Sequence, residues 1–513
     1  MDAERTKVII AIAIHPELCA KVAKKLGCST CLVVDHRHPS QSEQIFDGVR
    51  IIYLPWYQLL KSEFDETTIS LPQNIDYHAW SHLFDFYTFN SSRCKKNIGI
   101  DWNGIKHACD NAERLHDFNY FFYAQSELSP LEIRLGFNNS ILFWESIFHL
   151  YEVNLVLAQY APHWSYSIFP FDLAIRQDIP AIFSTHSPIP GFSILVEGGW
   201  GGLDNTWRTQ ENETLLSRAK MEAIASELSR ITSESPDDFT PAYEKENNLR
   251  AEKQKGLRVR QVPTRNHLSR TWLIDFRKTL LDRLYYAIRK NRKENFVREV
   301  FELRAKTSIP DVDFILFPLH YQPEETSVRG GVYAEQLTII QEIAAHLPKD
   351  MYLVVKEHTQ QRESKGYRSA RWYESVAKIA NVILLHRSVH MTQILDKARG
   401  VVTISGSVGM EAYAKGIPVL FYGPMISSNF KLGEDRKNVS DLSGLLTNWK
   451  ECENALISID EIAQFLEKVL RKSFSQEVFR KADHPEMESV IAEIHRLAME
   501  TTSDTGQRRF FDR

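Results

Sequence analysis

Nowhere in its 513 residues does the chain stay apolar for the roughly 18 positions that a membrane-spanning helix requires. The apolar part of the opening stretch MDAERTKVIIAIAIHPELC is short, acidic residues precede it, and no small-residue cleavage site follows. It predicts a first buried strand and not a secretory signal. Cysteine is scarce: there are six, scattered along the chain, too few for a disulfide scaffold. That usage suits a reducing compartment, and a cytoplasmic location is expected. The C-x-x-C at Cys28-Ser-Thr-Cys31 has no second pair and runs straight into a strand pattern, so neither zinc nor redox chemistry is expected there. An excess of one charge is also missing. With 62 Lys/Arg against 66 Asp/Glu the net charge is −4, which gives no global attraction to nucleic acid. Repeats of solenoid period and low-complexity blocks are absent as well.

What is present is the alternation of an α/β protein. A chain this long exceeds one ordinary core, so two domains of about 200 residues or more are expected. KVIIAIAIHPELCAKVAKKLG reads as strand, loop and helix, with STCLVVDHRHP and VRIIYLP as further strands. NYFFYAQ reads as a strand and NSILFWESIFHLYEVNLVLAQYAP as a long buried helix. A second series begins at DVDFILFPLHYQPE and alternates through MYLVVKEH, NVILLH and VVTISGSVGMEAYAKGIPVLFYGP, with helices after residue 458 completing that domain. Strands alternating with helices indicate parallel, doubly wound sheets. The boundaries expected are 1–204 for a first Rossmann-like domain, 205–306 for a charged insertion and helical linker, 307–500 for a second Rossmann-like domain, and 501–513 for a loose tail.

The last of these segments is the most informative. VVTI is a buried strand, and Ser407 stands where a helix through Met410 and Ala414 would be capped. Glu411 falls four residues on, over the same face. Gly406 and Gly409 are expected to let a ligand approach, and Ser405 and Ser407 to hold its phosphate while Glu411 accepts from a ribose diol. The alternative reading is a plain cap and a surface carboxylate. Two other strand ends carry polar clusters on the same rim: His320, Tyr321, Gln322 and Glu324 after one strand, and Lys356, Glu357 and His358 after the next. Cationic and hydrogen-bonding groups placed there suit a departing phosphate.

FPLHYQPEETS, VVKEH and ISGSVGMEAYAKGIPVLFYG together resemble the capsule polysaccharide biosynthesis family over roughly residues 310–425. That family includes bacterial transferases of the acidic sugar Kdo. The resemblance implies a GT-B-like fold of two Rossmann-like domains facing a cleft, joined here by a basic helical linker. It also implies a metal-independent glycosyltransferase of capsule or lipopolysaccharide assembly with no cofactor beyond its nucleotide-sugar donor, for which CMP-Kdo is the first expectation. By position, Gln322 and Glu324 fall on the family's Q-P-E loop and His358 on its His-Pro motif. Ser405, Gly406, Ser407 and Glu411 fall on its Ser-Gly turn, with Lys356 adjoining. This chain has His358-Thr359 where His-Pro is usual.

Candidates for the base that activates an acceptor hydroxyl are His186, Asp172 and Glu145, with Glu197 behind them. The acceptor expected is a glycan or a lipid-linked glycan, with the aromatic loop EGGWGGLDNTW as one place to stack it. The alternatives are a sugar-nucleotide 2-epimerase of the same architecture and a non-catalytic glycan- or nucleotide-binding member of an assembly complex. Asp311-Val-Asp313 lies at the start of a strand, the wrong end for a ligand, so no metal is expected. Between Lys245 and Lys306 there are 18 Lys/Arg against 7 Asp/Glu, a net of +11. With Trp272, Phe276, Tyr285 and Tyr286 on that stretch, a basic amphipathic helix against the inner leaflet is one reading and a solvated interdomain helix the other.

Overall fold

KVIIAI and FILFP are apolar at consecutive positions, a pattern that suits a strand covered on both faces. Each lies in the middle of a sheet. The structure, a computed structural model, describes residues 6–34, 42–54, 144–198 apart from 146 and 163–164, 216–232, 296–321, 331–358 apart from 334, 361, 368–423, 433–451, and 457–503 apart from 482.

The first part of the chain contributes β1 (Lys7–Ile12), β2 (Thr30–Val34), β3 (Ser42–Phe46), β4 (Val49–Tyr53), β5 (Glu152–Ala158), β6 (Ala181–His186) and β7 (Phe192–Glu197). The second contributes β8 (Phe314–Pro318), β9 (Tyr352–Lys356), β10 (Val382–Leu385), β11 (Gly400–Thr403), β12 (Val419–Phe421) and β13 (Glu434–Asp435). A last strand, β14 (Ser473–Ser475), returns to the first sheet, whose order is β14-β7-β6-β5-β1-β2-β4-β3. The second sheet runs β10-β9-β8-β11-β12-β13, all parallel. The helices are α1 (Pro16–Lys25), α2 (Ser165–Arg176), α3 (Arg218–Thr232), α4 (Gln336–His346), α5 (Ala370–Ala377), α6 (Met391–Leu395), α7 (Val408–Ala414), α8 (Leu442–Glu451), α9 (Ile459–Arg471) and α10 (Met487–Ser503). This is a mixed α/β architecture with two parallel-rich sheets, as the GT-B-like reading requires.

Three sequence expectations need correction. The long helix expected over NSILFWESIFHLYEVNLVLAQYAP stops early. Residues 147–150 are helical, and Glu152–Ala158 is the strand β5, hydrogen-bonded between β1 and β6. A short apolar run carries no period that separates strand from helix, and pairing with β1 decides the matter. The second correction is β3, which was not read at all. It forms a hairpin with β4 about Asp47-Gly48, both at positive φ (49° and 80°), the twist that a two-residue turn between antiparallel strands needs.

The third correction concerns the C-terminal helices, expected to complete the second domain. Ile462, Phe465, Leu466, Val469 and Leu470 of α9 join Val8, Ile10 and Val156 in the core of the first sheet. Val490, Ile491 and Ile494 of α10 pack with Leu18 and Val22 of α1 on its other face. The apolar stripe of α9 is continuous and its Ser458–Glu461 capping box complete, so the helix forms readily on either unit. Which unit it covers is decided by tertiary packing. Helix α7 also lies between the two cores: Val408 and Ala412 pack against the second sheet, while Met410 enters the core of the first.

Cys19, Cys28 and Cys31 are buried and free of disulfides, and burial pushes the Cys28 thiol up to about 11, against a smaller opposing pull from Lys7. Among the described residues no helix is long and apolar enough to cross a membrane. The strand NYFFYAQ, the EGGWGGLDNTW loop beyond Gly198, linker residues 205–215 and 233–295, and the tail from 504 lie outside the described residues. Within the 205–306 segment, Arg218–Thr232 is helical, as are residues 296–304.

Candidate functional site

The second sheet reverses direction between β8 and β11: the chain steps outward through β9 and β10, then returns to β11 and continues through β12 and β13 on the other side. At such a switch point the connections leave to opposite faces and open a crevice at the carboxyl ends of the two strands. His320, after β8, and Ser405, after β11, stand at that crevice.

His320 is held at both ends. Its backbone N–H donates to Oε1 of the fully buried Gln336 (2.9 Å), and its carbonyl accepts from Gln336 Nε2 (3.2 Å) and from an Arg368 guanidinium N–H (2.7 Å). Its Nε2 accepts the Ser405 backbone N–H at 3.3 Å and lies 3.3 Å from Thr403 Oγ1. Thr403 Oγ1 in turn accepts the Gly406 N–H at 3.1 Å. With Nε2 an acceptor, the neutral ring carries its hydrogen on Nδ1. The Ser405 hydroxyl oxygen is itself buried and has no hydrogen-bond partner among the described residues. A buried hydroxyl without a partner costs about 1–3 kcal/mol, which a ligand group at the crevice would recover.

The next strand end is a second network. Glu357, with no exposed surface, accepts from Arg368 Nε (3.2 Å), the Tyr373 hydroxyl (2.7 Å) and the His358 backbone N–H (2.8 Å). Arg368 therefore ties the loop after β9 to the loop after β8, and stacks on Trp372 with its guanidinium 4.6 Å from the ring centre. The His358 ring stands 6.0 Å from that of Tyr321. Lys356 is buried, and its ammonium donates to the Arg387 carbonyl at 3.4 Å, which uses one of its three N–H groups. Gln322 and Glu324 lie outside the described residues.

The turn into α7 differs from its expected form. Ser407 adopts helical φ/ψ and makes no side-chain cap; its hydroxyl donates instead to Glu411 Oε1 at 3.3 Å. The two glycines serve internal packing. A Cβ on Gly409 would stand 2.6 Å from the Phe421 ring, and one on Gly406 would stand 3.0 Å from Thr403 Oγ1 and 3.4 Å from His320 Nε2. Glu411 sits on the expected face but is buried, and Arg230 from α3 donates to its Oε1 at 3.0 Å. Arg230 is itself gripped by Glu227, which accepts from Nε (3.0 Å) and from the other terminal nitrogen (2.7 Å). Burial pushes the Glu411 carboxyl above its ordinary range, and the Arg230 charge opposes that rise.

The candidate bases all belong to the first sheet's elements. Glu145 is buried beside Trp144, Asp172 is half-buried on α2, and His186 ends β6. Gln476 Nε2 lies 2.7 Å from His186 Nδ1 and also donates to the Phe192 carbonyl (3.1 Å), which fixes the amide's orientation. Nδ1 is then an acceptor and the neutral ring is protonated at Nε2, a poor arrangement for a base acting through that nitrogen. Asp313 of the D-x-D pairs with Arg399 at 2.9 Å at the opposite end of β8 from the crevice.

Arg230, Glu227, Gln336, Arg368 and Tyr373 escaped the sequence reading. Glu227 and Arg230 are spaced i,i+3 on a mostly polar helix, which reads as an ordinary surface pair. Gln336 opens an otherwise apolar helix, and only its burial shows that its amide serves the neighbouring loop.

Two parallel-rich α/β sheets, the second with a switch point that carries polar groups, define the fold class as doubly wound α/β. Residues 247–439 match the family described as capsule polysaccharide biosynthesis protein, so the resemblance drawn from the three motifs holds. No curated protein matches the chain. Among solved structures it is similar to the Thermosulfurimonas dismutans KpsC beta Kdo 2,7 transferase, at 12% identity over 67% of this chain and 85% of that one, with a TM-score of 0.26. A beta Kdo 2,4 transferase of the same organism's KpsC matches at 11% identity over 61% and 79%, TM-score 0.31. The UDP-GlcNAc 2-epimerase of Neisseria meningitidis matches at 13% identity over 96% and 100%, TM-score 0.20. At such TM-scores the likeness carries no functional weight.

Proposed function

We propose that this chain is a glycosyltransferase of bacterial capsule or lipopolysaccharide assembly that holds a nucleotide-activated sugar at the switch point of the second sheet. The observation that carries the reading is the Ser405 hydroxyl: a buried, unpartnered polar group among the described residues, at the β8–β11 crevice, within the segment matching the capsule family. Ser405, His358 and Lys356 are assigned to the donor's phosphate. Glu411 is assigned to the ribose, and Gln322 and Glu324 are assigned to the donor from their match to the family's Q-P-E motif alone. CMP is the nucleotide favoured and a Kdo-like acidic sugar the group transferred.

In the reaction, an acceptor hydroxyl attacks the anomeric carbon as the bond from that carbon to the phosphate oxygen breaks. The nucleotide leaves with the bonding pair, and a carboxylate of the facing unit takes the hydroxyl proton. Asp172 and Glu145 are the candidates for that carboxylate. The acceptor is a glycan or a lipid-linked glycan. The test is nucleotide release by the full-length protein from CMP-Kdo, with and without a Kdo-terminated oligosaccharide. Acceptor-dependent CMP release with a lengthened glycan supports the reading; interconversion of a UDP-sugar with no acceptor present replaces it with an epimerase.

A further inference from the structure

We propose that Arg230 is a positioning residue for Glu411: together with Ser407 it occupies Oε1, and so presents Oε2 as the acceptor for a ribose hydroxyl of the bound nucleotide. This rests on the nucleotide-site reading above.

Both hydrogen bonds to Glu411 fall on one oxygen: Arg230 donates to Oε1 at 3.0 Å and the Ser407 hydroxyl to Oε1 at 3.3 Å. Among the described residues Oε2 accepts none. A carboxylate anchored by one oxygen has its plane restricted and its second oxygen aimed, which a substrate hydroxyl requires. The anchor is rigid in its turn. Glu227 takes two of the guanidinium's N–H groups in a fork, leaving another to reach across to α7, 181 positions along the chain. Side-chain exposures of 13% for Arg230, 4% for Glu227 and 5% for Glu411 put the triad almost out of water. There, an arginine left without its carboxylate, or the reverse, costs far more than at the surface.

Charge gives the arrangement a second role. Two carboxylates share one guanidinium. Glu227 adds to the rise that burial imposes on Glu411, while Arg230 and the Ser407 hydroxyl hold it down. The flanking strands β11 and β12 contribute no charged group, and Glu461 of α9 bears on Tyr413. Arg230 is thus the cation that opposes the rise burial imposes on the Glu411 carboxyl. Protonated, Glu411 would offer a hydrogen instead of accepting one.

The test titrates full-length wild type, Arg230→Met and Arg230→Lys by calorimetry from pH 6 to 9. The probes are CMP, UDP, GDP and ADP, and the 2′,3′-dideoxy counterpart of whichever binds wild type. Wild type should prefer the ribose form by about tenfold or more, the worth of one hydrogen bond to a charged group. Arg230→Met should lose that preference at pH 7 and regain affinity as the pH rises and Glu411 ionises. Arg230→Lys, which keeps the charge, should retain most of it. Wild-type affinity, ribose preference and pH profile all preserved in Arg230→Met would overturn the role of Arg230 while leaving the nucleotide site standing. If wild type binds none of the four nucleotides, the nucleotide reading falls and this inference with it. Should Arg230→Met not fold, loss of the ribose preference in a folded Arg230→Lys at pH 7 overturns the proposal.

Discussion

Ser405 and His320, 85 positions apart, are joined by a hydrogen bond from a backbone N–H to a ring nitrogen across the point where the second sheet reverses (3.3 Å). The same nitrogen lies 3.3 Å from the Thr403 hydroxyl, so one imidazole fixes the exit of two strands. His320→Phe fills similar space but leaves the Ser405 N–H without its acceptor. The expected cost is about 1–3 kcal/mol. Denaturant unfolding should show a lower midpoint with an unchanged slope. A midpoint equal to wild type would show that the ring only packs.

Glu357 holds a buried arginine, a tyrosine hydroxyl and a backbone N–H at once. Glu357→Ala strands the Arg368 guanidinium, whose side chain is 3% exposed, and removal of one partner of such a pair costs about 3–5 kcal/mol. Because Arg368 also donates to the His320 carbonyl, nucleotide binding should fall with stability. Glu357→Gln, which keeps the shape, should lose less of both. Equal losses in the two variants would show that the shape Gln retains contributes nothing and that the charge alone matters.

The thiols give an independent check of the fold. With Cys28 pushed up to about 11 and Cys31 higher than an ordinary thiol, both by burial first, little thiolate forms at neutral pH. A colourless disulfide reagent that releases a chromophore should therefore leave Cys28 and Cys31 unmodified in the native protein and label them after unfolding. Rapid native labelling at Cys28 or Cys31 would contradict the burial.

Glu411 should make its function visible as a cost in stability. A carboxyl raised by burial favours folding fully below its ordinary pKa of 4.5, and that contribution is lost as the pH rises through the folded-state value. Glu411→Gln removes the titration and leaves Arg230 balanced by Glu227 alone. The variant's melting temperature relative to wild type should climb as the pH is raised above 4.5. A difference independent of pH would mean that Glu411 does not titrate in this way.

The alternation of strands and helices, the three loops of the second sheet and the turn at Ser405 to Glu411 were legible in the sequence. Each is a local pattern: an apolar run, a stop, a polar cluster. What could not be read is non-local. The strand β5 is as apolar as a buried helix, and only its pairing with β1 identifies it. The stripe of α9 fits any core, and its contact with Val8 and Val156 is a tertiary choice. Ser407 has a capping residue's chemistry, yet its hydroxyl turns to Glu411. Glu411 was singled out for its position on the helix, while its partner Arg230 stands 181 residues earlier in a segment that reads as an insertion.

The most direct measurement is the thermal stability of the full-length protein with CMP, UDP, GDP and ADP, in wild type and in Glu411→Gln. A nucleotide at 100 times its dissociation constant adds about 2.7 kcal/mol to folding stability. The account predicts stabilisation of wild type by CMP ahead of the other three, much reduced in Glu411→Gln. No shift with any nucleotide, or the same shift in both proteins, would contradict it.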